Sequence, residues 1–499
     1  TAITAFVGRT LKGPVNHPVT VGSFNDYQRV FGTLWRHSTV AYAVEQYFEN
    51  GGRTAIVVRI CNNGHAPTIR LPAGDGALTL IGLSPGTREY LRASVDYDGI
   101  PVHETDRFNL ILQRLRAPGS EFIEDQEIFR RLSIHPGAER SISDFLIDSR
   151  LMRVQGALPR QRPDRSGGES PIGPIGYVAS ASDGDDGDVL SNYDLIGDAR
   201  MGTGVFALNG AEAFNFLCLP PLTREQDVGL PALLVALRYC RQRQAMLLLD
   251  PPAHWSDAAA VLDGLRNWPF FSEDAVMFFP RVTVMDRLRG RQETFGSAPA
   301  VAGMLARVDR TRPIWAATDS EESQMRPALR PATAVADRDC DLLWHAGVNV
   351  LQPPRMPRIR VNPRTLTTEQ AVRDEWRYLT ARRFALFIMG SIEQGTRWVV
   401  YEQPGEVLWK RVRVEVTEFL ESLEDEGAFA GHNAEENYLV ICDERVNDSE
   451  HVAAGRFQLI FGYASVRPGD FQTFLVTHEP GRSSVRPASV NRYALLTPE

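Results

Sequence analysis

The densest cluster of potential metal ligands is the acidic run DGDDGD at residues 183–188. An EF-hand loop needs oxygen ligands at positions 1, 3 and 5, glycine at position 6 and glutamate at position 12. Counted from the first aspartate, position 5 is Gly187, position 6 is Asp188 and position 12 is Asp194. We therefore interpret the run as a solvated acidic turn, with a calcium loop as the alternative, and assign no metal site.

Asp250 is the side chain best placed for catalysis, since it follows the apolar run LLL and would end a buried strand. Enzymes with α/β folds carry functional groups at such positions. However, Pro251 and Pro252 fix an extended turn directly after it, and the sequence contains no GxSxG motif. An α/β hydrolase-like enzyme that uses Asp250 is kept as the alternative function. It requires a histidine and a nucleophile within hydrogen-bond distance of this carboxylate.

Motifs for cofactor binding are missing from the sequence. There is no GxxxxGK[ST], and no GxGxxG lies between a predicted strand and helix. The five cysteines are dispersed and form no CxxC pair, which is typical of reduced thiols in a protein made in the cytoplasm. We therefore predict no cofactor, no catalytic residue and no enzyme activity.

Composition narrows the class of protein further. A chain of 499 residues should hold two to four domains, and 43% hydrophobic with 23% charged residues is typical of globular domains. The net charge of −8 argues against a nucleic-acid binder. No apolar run is long enough to span a bilayer, and no signal peptide is visible, which disfavours a secreted adhesin. The sequence also starts without methionine, so processing or trimming is expected.

The first part of the chain combines an α/β unit with an all-β segment. Strands at 3–8 and 54–60 flank a helix at 38–50, which predicts a parallel β-α-β unit. From 61 to about 168, frequent turns and short strands predict a small β-sandwich, followed by a linker at 158–170. The strand candidates there are 77–83, 92–97 and 107–115.

Residues 171–345 return to alternating strands and helices, which predicts a parallel sheet covered on both faces. The strand candidates are 213–219, 245–249 and 275–280, the helix candidates are 230–243, 257–266 and 298–306, and 320–335 should be an exposed loop.

Residues 376–427 predict a helix, a strand and a second helix. Phe384, Phe387, Ile388 and Ile392 recur at helical spacing, the aromatic and β-branched run 398–401 favours a strand, and a second apolar stripe follows. That stripe consists of Leu408, Val412, Val416, Phe419, Leu420 and Leu423. Further strands are predicted at 438–441, 458–463 and 471–476. They precede a polar tail from 478 to 499, in which 490–496 could form a strand but has no partner.

The charges on the second helix of this block run against its macrodipole. Lys410, Arg411 and Arg413 lie near its start, and acidic residues crowd its end, whereas the dipole favours the reverse. One interpretation is a solvated face with pairs such as Arg411–Glu415. The other is that the basic end meets an acidic partner. Trp376, Trp398 and Trp409 lie in apolar stripes, so we assign them to the core instead of to nucleic-acid binding.

Several blocks, in order, resemble contractile tail sheath proteins, the family that includes phage tail sheaths, R-type tailocins and extracellular contractile injection systems. The resemblance starts with TAITAFVGRTLKGPVNHPVTVGSFNDYQRVFG and YAVEQYFENGGRTAIVVRI, and continues through NYDLIGDARMGTGVFALNGAEAFNFLCLPP, LLLDPP, AVMFFPRV and APAVAGMLARVDRTRPIW. It closes with HAGVNVL, RTLT, RRFALFIMGSIEQGTRWVVYE, LWKRVRVEVTEFL, GAFAG and RPGDFQTFLV.

The resemblance implies a multidomain α+β and α/β architecture with a discontinuous core domain. Residues 1–60 and 346–477 would form the two parts of the sheath core domain. Residues 61–168 would form an inserted β-sandwich, 169–345 an inserted subtilisin-like α/β domain without protease activity, and 478–499 a C-terminal arm.

The function implied is that of a structural subunit. Such subunits polymerise helically around an inner tube in a strained, extended state, then shorten and widen to drive the tube through a target envelope. The partners implied are other copies or sheath paralogues, the inner tube protein, and baseplate and terminal cap proteins, without nucleic acid or stable membrane insertion. The protein would be made in the bacterial cytoplasm and become part of a phage tail or an extracellular contractile particle.

The resemblance also suggests which residues make these contacts. A core-domain helix attaches to the tube, for which we predict Lys410, Arg411 and Arg413, with Arg382 and Arg383 as weaker candidates. Terminal arms donate strands to neighbouring subunits' sheets. For such inter-subunit contacts we predict residues of 471–476 and of the tail 485–496, which is too polar and unpaired to be explained within one isolated subunit. The residues are Phe471, Phe474, Val476, Val490, Tyr493 and Leu495.

Two departures from the family pattern lead to further expectations. Members usually carry an additional arm before the segment that matches residues 4–8, so an arm has been trimmed here or the N-terminal contact is weakened. Residues 316–338 also differ from the usual pattern, which suggests a specialised paralogue in a particle with several sheath proteins.

Overall fold

A computed structural model describes residues 2–166, 176–316, 323–325, 329–352, 358–359, 362–368 and 374–488 of the chain. The strands, in chain order, are β1 Thr4–Gly8, β2 Pro18–Val21, β3 Ala55–Arg59, β4 Thr68–Ala73, β5 Gly76–Gly82, β6 Tyr90–Asp96, β7 Arg107–Leu115, β8 Ile123–Ser133, β9 Met152–Val154, β10 Val178–Ala179, β11 Phe216–Cys218, β12 Met246–Leu249, β13 Ala275–Phe279, β14 Val282–Asp286, β15 Arg291–Phe295, β16 Arg330–Pro331, β17 Val348–Gln352, β18 Arg358–Ile359, β19 Tyr438–Ile441, β20 Phe457–Tyr463, β21 Gln472–Glu479 and β22 Arg482–Pro487.

The helices alternate with these strands. They are α1 Phe24–Phe31, α2 Val40–Glu49, α3 Ile142–Phe145, α4 Asn192–Ile196, α5 Leu230–Arg243, α6 Ala258–Arg266, α7 Ala298–Val308, α8 Asp337–His345, α9 Leu379–Gly395, α10 Glu406–Asp425, α11 Ala434–Asn437 and α12 Ser449–Ala453. Shorter 3-10 turns lie at Leu146–Asp148, Gly204–Gly210, Asp374–Arg377 and Arg397–Tyr401.

An eight-stranded sheet in the order β18-β17-β13-β12-β11-β1-β3-β2 forms the centre of the described chain. The pairs from β17 to β3 are parallel, and β2 and β18 add antiparallel edges. Strands β1, β3, β11, β12 and β13 are buried along their whole length, because helices cover both faces. The predicted parallel β-α-β unit of the first 60 residues is confirmed.

This sheet contains strands from both parts that the resemblance had separated. Thr4 to Phe6 of β1 lie in register with Phe216 to Cys218 of β11. The strands of 1–60 are therefore paired with strands of 169–345, although the prediction grouped them with 346–477. The division of the chain into five segments stays a prediction.

Two antiparallel sheets, β4-β5-β9 and β10-β6-β7-β8, form the sandwich predicted after residue 61. Their facing side chains make a separate hydrophobic core with Leu80, Phe108 and Leu112 among its fully buried members. Strand β10 pairs with β6 and lies beyond the predicted segment end at residue 168. The long strand β8 had no counterpart in the prediction, because its alternating charged residues mask the periodicity of its apolar ones.

The C-terminal block contains the two predicted helices, α9 and α10, but not the predicted strand between them. Residues Arg397–Tyr401 form a 3-10 turn, in which Val399 and Glu402 donate backbone hydrogen bonds to the carbonyls three residues earlier. Its one buried side chain is Val399, which packs into the hydrophobic core that also contains the buried stripes of α9 and α10. The β-propensity of this run is overridden because so short a connection turns back on itself between two packed helices.

The polar tail is partly folded within its own chain. Strand β22 pairs antiparallel with β21, with Val485 opposite Val476, in the four-stranded sheet β19-β20-β21-β22. The expectation that the tail from residue 485 lacks a partner is therefore wrong for Val485 to Pro487. Tail residues from 489 onward, including the candidates Val490, Tyr493 and Leu495, lie outside the described residues.

One hydrophobic cluster joins the first helices of the chain to the C-terminal block. It includes the fully buried Tyr27 and Val44 together with Phe384, Val412 and Phe474. A second cluster fills the other face of the large sheet, and neither contains a residue between 61 and 189. The sandwich therefore has a core of its own, whereas the chain ends share one.

Candidate functional site

The outer face of α10 carries apolar and basic side chains in its first half. Its inner stripe, Leu408, Val412, Val416 and Leu420, is buried as predicted. On the opposite face, Val407 is 87% exposed and Val414 is 46% exposed, and Tyr401 in the preceding turn is 90% exposed. Sequence reasoning singled out the charges of this helix and missed these apolar groups. The positions of the valines relative to the buried stripe could have predicted that they face outward.

The three predicted tube-attachment residues differ in how free they are. Lys410 is exposed on the outer face, beside Val407 and Val414. Arg411 bonds to Glu415 at 3.0 Å, which is the pair expected for a solvated face, and its guanidinium lies 4.2 Å from the Trp398 ring centroid. Both ring and carboxylate hold Arg411 in place and partly offset its charge.

Arg413 points toward its own chain. Its Nη1 donates to the carbonyl oxygen of Cys442 at 2.5 Å, just after β19, and the residue is half-buried. This contact ties α10 to the C-terminal sheet. Of the predicted basic residues, the structure therefore brings Lys410 and Arg411 to the outer surface together and turns Arg413 inward.

Arg382 and Arg383 are structural ties between modules. The Nε and Nη2 atoms of Arg382 both donate to Asp274 Oδ1, at 2.9 and 2.6 Å, and both residues are almost fully buried. Arg383 bonds to Asp309 at 2.5 Å in a similarly closed setting. These ion pairs connect α9 to Asp274, just before β13 of the central sheet, and to Asp309, just after α7. Neither arginine is therefore open to a tube surface.

The predicted strand contacts at Phe474 and Val476 also have internal roles. Both side chains are fully buried, and β21 is bonded on one side to β20 and on the other to β22. These two side chains are therefore not available to a neighbouring subunit in this conformation. Phe471, just before the strand, is half-buried. The edges of this sheet are β19 and β22, and an added strand would have to pair there.

Asp250 acts as a cap for α7. Its Oδ1 accepts a hydrogen bond from the Ala298 amide at 2.9 Å, in the first turn of that helix. Burial raises the pKa of the Asp250 carboxyl, while Arg281 and the backbone amides of Ala298 and Ser297 oppose the rise. The described donors to this carboxylate are thus backbone amides, and the histidine and nucleophile that a hydrolase requires are not among them.

The acidic run at 183–188 is exposed at Asp183, Asp185 and Asp188, as expected of a solvated acidic turn, and its side chains also hold loops together. Asp183 accepts from the amide and hydroxyl of Thr68, and Asp186 accepts from both groups of Thr87. Asp188 accepts from Asn63. Within the described ranges, no group of three or more histidine, cysteine or acidic side chains is arranged to hold a metal ion. These hydrogen bonds connect the sandwich, at Thr68 and Thr87, with the segment that follows β3, at Asn63.

Two further features concern the whole described chain. Each of the five cysteines is a free thiol, and all but Cys61 are buried. No helix in the described ranges is long and apolar enough to cross a membrane.

The comparisons with known proteins agree on one family. Residues 372–478 match the family model of the phage tail sheath C-terminal domain. The crystal structure of a sheath tail protein from Listeria innocua superimposes with a TM-score of 0.63 at 13% identity, covering 96% of each chain. The sheath of an extracellular contractile injection system, PVC, in its contracted state gives a TM-score of 0.52 at 14% identity, covering 94% of this chain and 89% of that one.

A chain of the anti-feeding prophage baseplate in its contracted state is similar too, with a TM-score of 0.54 at 17% identity and coverages of 94% and 91%. No curated protein sequence matches this chain.

The fold is thus that of a multidomain, mixed α/β sheath protein, shared over nearly the whole length with these structures. The residues that match the phage tail sheath C-terminal domain, 372–478, contain α9, α10 and most of the C-terminal sheet. The predicted resemblance to contractile tail sheath proteins is confirmed.

Proposed function

We propose that the protein is a structural subunit of a contractile sheath, which polymerises helically around an inner tube and contracts to drive it through a target envelope. The observation that carries this proposal is the match of 372–478 to the phage tail sheath C-terminal domain, within a fold shared with sheath proteins from end to end. A non-enzymatic role follows from the same family assignment.

The energy for such a stroke would be conformational. Subunits would be assembled in a strained, extended lattice and would fall into the shorter, wider one, so that burial of new surface between neighbours drives the movement. The partners that we propose are other copies or paralogues of this chain, the inner tube protein, and baseplate and cap proteins. We infer synthesis in the bacterial cytoplasm and assembly into a phage tail or extracellular contractile particle.

Lattice contacts in this proposal use the termini and sheet edges. A strand from a neighbour would add to β19 or β22, where backbone groups face outward, and the tail with Val490, Tyr493 and Leu495 would reach another subunit. Phe471 flanks the same sheet. The tube would contact α10 through Lys410 and Arg411, with Arg413 holding the helix in position from behind.

Electron microscopy of the purified assembly tests the main proposal. Co-expression of this chain with its tube and baseplate proteins should give sheathed tubes in an extended form and wider, empty sheaths after contraction. If the chain stays monomeric in the presence of those proteins under every condition tried, the proposed function is wrong.

Charge reversal tests the attachment site. Lys410→Glu should leave the sheath polymer intact but reduce the fraction of sheaths that contain a tube, because the new carboxylate would repel an acidic surface. Arg413→Glu should also weaken the isolated subunit, since it removes the hydrogen bond to Cys442. Glu139→Lys, an exposed acidic position on the sandwich, serves as the charge control. Unchanged tube content in Lys410→Glu particles would show that attachment lies elsewhere.

A further inference from the structure

A cavity of about 490 Å³ lies where the C-terminal block meets the central sheet. Its walls come from the end of α5, the segment before β13, helix α9 and strand β22. Leu386 and Met389 make part of its lining apolar, whereas Asp274 and Arg382 supply charged groups. Proteins bind small molecules in cavities of about 300–1,000 Å³ that combine apolar walls with a few convergent polar groups. The size and lining of this cavity are those of a ligand site.

The guanidinium of Arg382 has an unused hydrogen-bond donor at this cavity. Its Nε and Nη2 atoms both donate to Asp274 Oδ1, and its Cζ lies 4.2 Å from the centroid of the Trp376 ring. The third nitrogen, Nη1, is buried and has no hydrogen-bond partner among the residues that the structure describes, although Arg382 as a whole is only 6% exposed. A buried donor without an acceptor is destabilising. An acceptor bound in the cavity would satisfy it.

The charged side chains that line the cavity do not balance. The buried Asp274 accepts from Arg241 Nε at 3.0 Å as well as from Arg382, so two guanidinium groups share one carboxylate. Arg486 of β22 adds a third cation, and Glu273 adds a second carboxylate. Three arginines and two carboxylates leave one positive charge, which a single bound carboxylate would neutralise.

We propose that this cavity binds a small organic monocarboxylate. Its carboxylate accepts a charge-assisted hydrogen bond from Arg382 Nη1, and its aliphatic part packs against Leu386 and Met389. Inorganic phosphate suits the cavity less well, because it carries more than one negative charge and has no apolar part to cover the α9 side chains. This site goes beyond the proposed function and does not depend on it.

Nuclear magnetic resonance of the full-length, unassembled subunit, isotope-labelled at its methionine methyl groups, observes the site directly, because Met389 lies in its wall. Loss of one signal in Met389→Leu assigns that methyl group. Butyrate, titrated at constant ionic strength, should shift the Met389 signal until it saturates, whereas chloride and inorganic phosphate should leave it in place. If butyrate causes no shift, or if all three anions shift the signal alike, the proposal is wrong.

Variants of the cavity wall test the charge argument in both directions. Glu273→Gln should tighten butyrate binding about two-fold or more, and Arg486→Gln should weaken it by a similar factor, because they raise and remove the surplus charge. Arg382→Lys keeps a cation beside Asp274 but loses the planar donor group, so binding should weaken about ten-fold. Arg482→Gln, on the same strand as Arg486 but outside the cavity lining, is the matched control and should bind butyrate unchanged.

The occupant is decided by comparing the free subunit with the assembled polymer. Equal butyrate affinity in Glu273→Gln and Arg486→Gln would overturn the charge argument and with it the proposal. Butyrate that binds the unassembled subunit but not the polymer would overturn a free ligand as the occupant, and an acidic side chain of a neighbouring subunit would take its place. Binding to both forms is the expected result.

Discussion

At the scale of single residues, the burial of each arginine decides its role. Arg382 lies almost fully buried over the Trp376 ring and donates two hydrogen bonds to Asp274. Arg411, with a side chain 59% exposed, pairs with Glu415 at the surface. The same residue type thus holds modules together in one place and remains available for contact in the other, because loss of a buried partner leaves an unpaired charge in the core, whereas a hydrated partner is replaced by water.

Replacement of Arg382 by methionine should destabilise the chain by about 2–4 kcal/mol, because Asp274 would stay buried with only the half-exposed Arg241 beside it. The urea midpoint of the unassembled subunit, followed by tryptophan fluorescence, measures the loss. Arg411→Met is the matched control and should change stability by less than about 0.5 kcal/mol. Combining Arg382→Met with Asp274→Asn should restore part of the stability, and failure to do so would contradict the buried-charge explanation.

At the scale of elements, His478 joins three parts of the C-terminal domain. From β21, its Nε2 lies 2.8 Å from the Thr396 hydroxyl at the end of α9, and its Nδ1 lies 2.8 Å from the Ser483 hydroxyl in β22. The Thr396 hydroxyl donates its own proton to the Ile392 carbonyl. The imidazole must therefore donate from Nε2, and in the neutral form that burial favours it accepts at Nδ1 from the Ser483 hydroxyl.

Burial lowers the pKa of His478 from its usual 6.5 to about 4. The unfolded chain therefore binds this proton more readily, and stability should fall as the pH drops from about 6.5 toward 4, by on the order of 2 kcal/mol. Urea midpoints of the unassembled subunit at pH 7.5 and 4.5 give the difference. In His478→Gln, which keeps donor and acceptor groups but does not titrate, the pH dependence should be smaller by that amount. An equal dependence in both proteins would assign the effect to other groups.

At the scale of the whole molecule, the chain enters and leaves the sandwich at one place. His65 and Asp185 exchange backbone hydrogen bonds of 3.2 and 2.8 Å where the chain enters and leaves. The buried side chains of the sandwich form a cluster with no member in the two clusters around the large sheet. Polar contacts also connect the sandwich to the rest of the chain, such as Lys12 to Glu124 at 2.6 Å and Arg59 to the Pro85 carbonyl at 2.7 Å.

A variant that joins His65 to Asp185 through Asn-Gly should therefore fold without the sandwich, since this dipeptide closes a two-residue hairpin. The expected result is a cooperative thermal transition and an unchanged central sheet, seen by circular dichroism and hydrogen exchange. An excision of the hairpin β14–β15 should not be tolerated, because Val282 belongs to the core shared by both chain ends. If the variant that lacks the sandwich aggregates, the core of the sandwich is not independent of the clusters around the large sheet.

Much of the architecture was predictable from local patterns. Helix α5 and strand β7 have the predicted bounds, because periodicity along one segment reports which of its faces is covered. The predicted stripes of α9 and α10 are buried except for Phe387, which is 38% exposed, and Phe419, which is half-buried. The free thiols and the absence of a long apolar run were equally plain from the sequence. Family resemblance supplied the class of protein, which no local pattern contained.

Only the tertiary structure decided what each polar group contacts. Arg382 finds a carboxylate 108 residues away, Asp186 clasps a threonine 99 residues earlier, and Asp250 caps a helix that starts 48 residues later. The 3-10 turn at Arg397–Tyr401 likewise depends on the core into which Val399 packs, whereas β22 pairs locally with β21 across the turn at Pro480 and Gly481. Hydrogen bonds and desolvation are set by the groups that folding brings together, whereas spacing along the chain records only the segment's own faces.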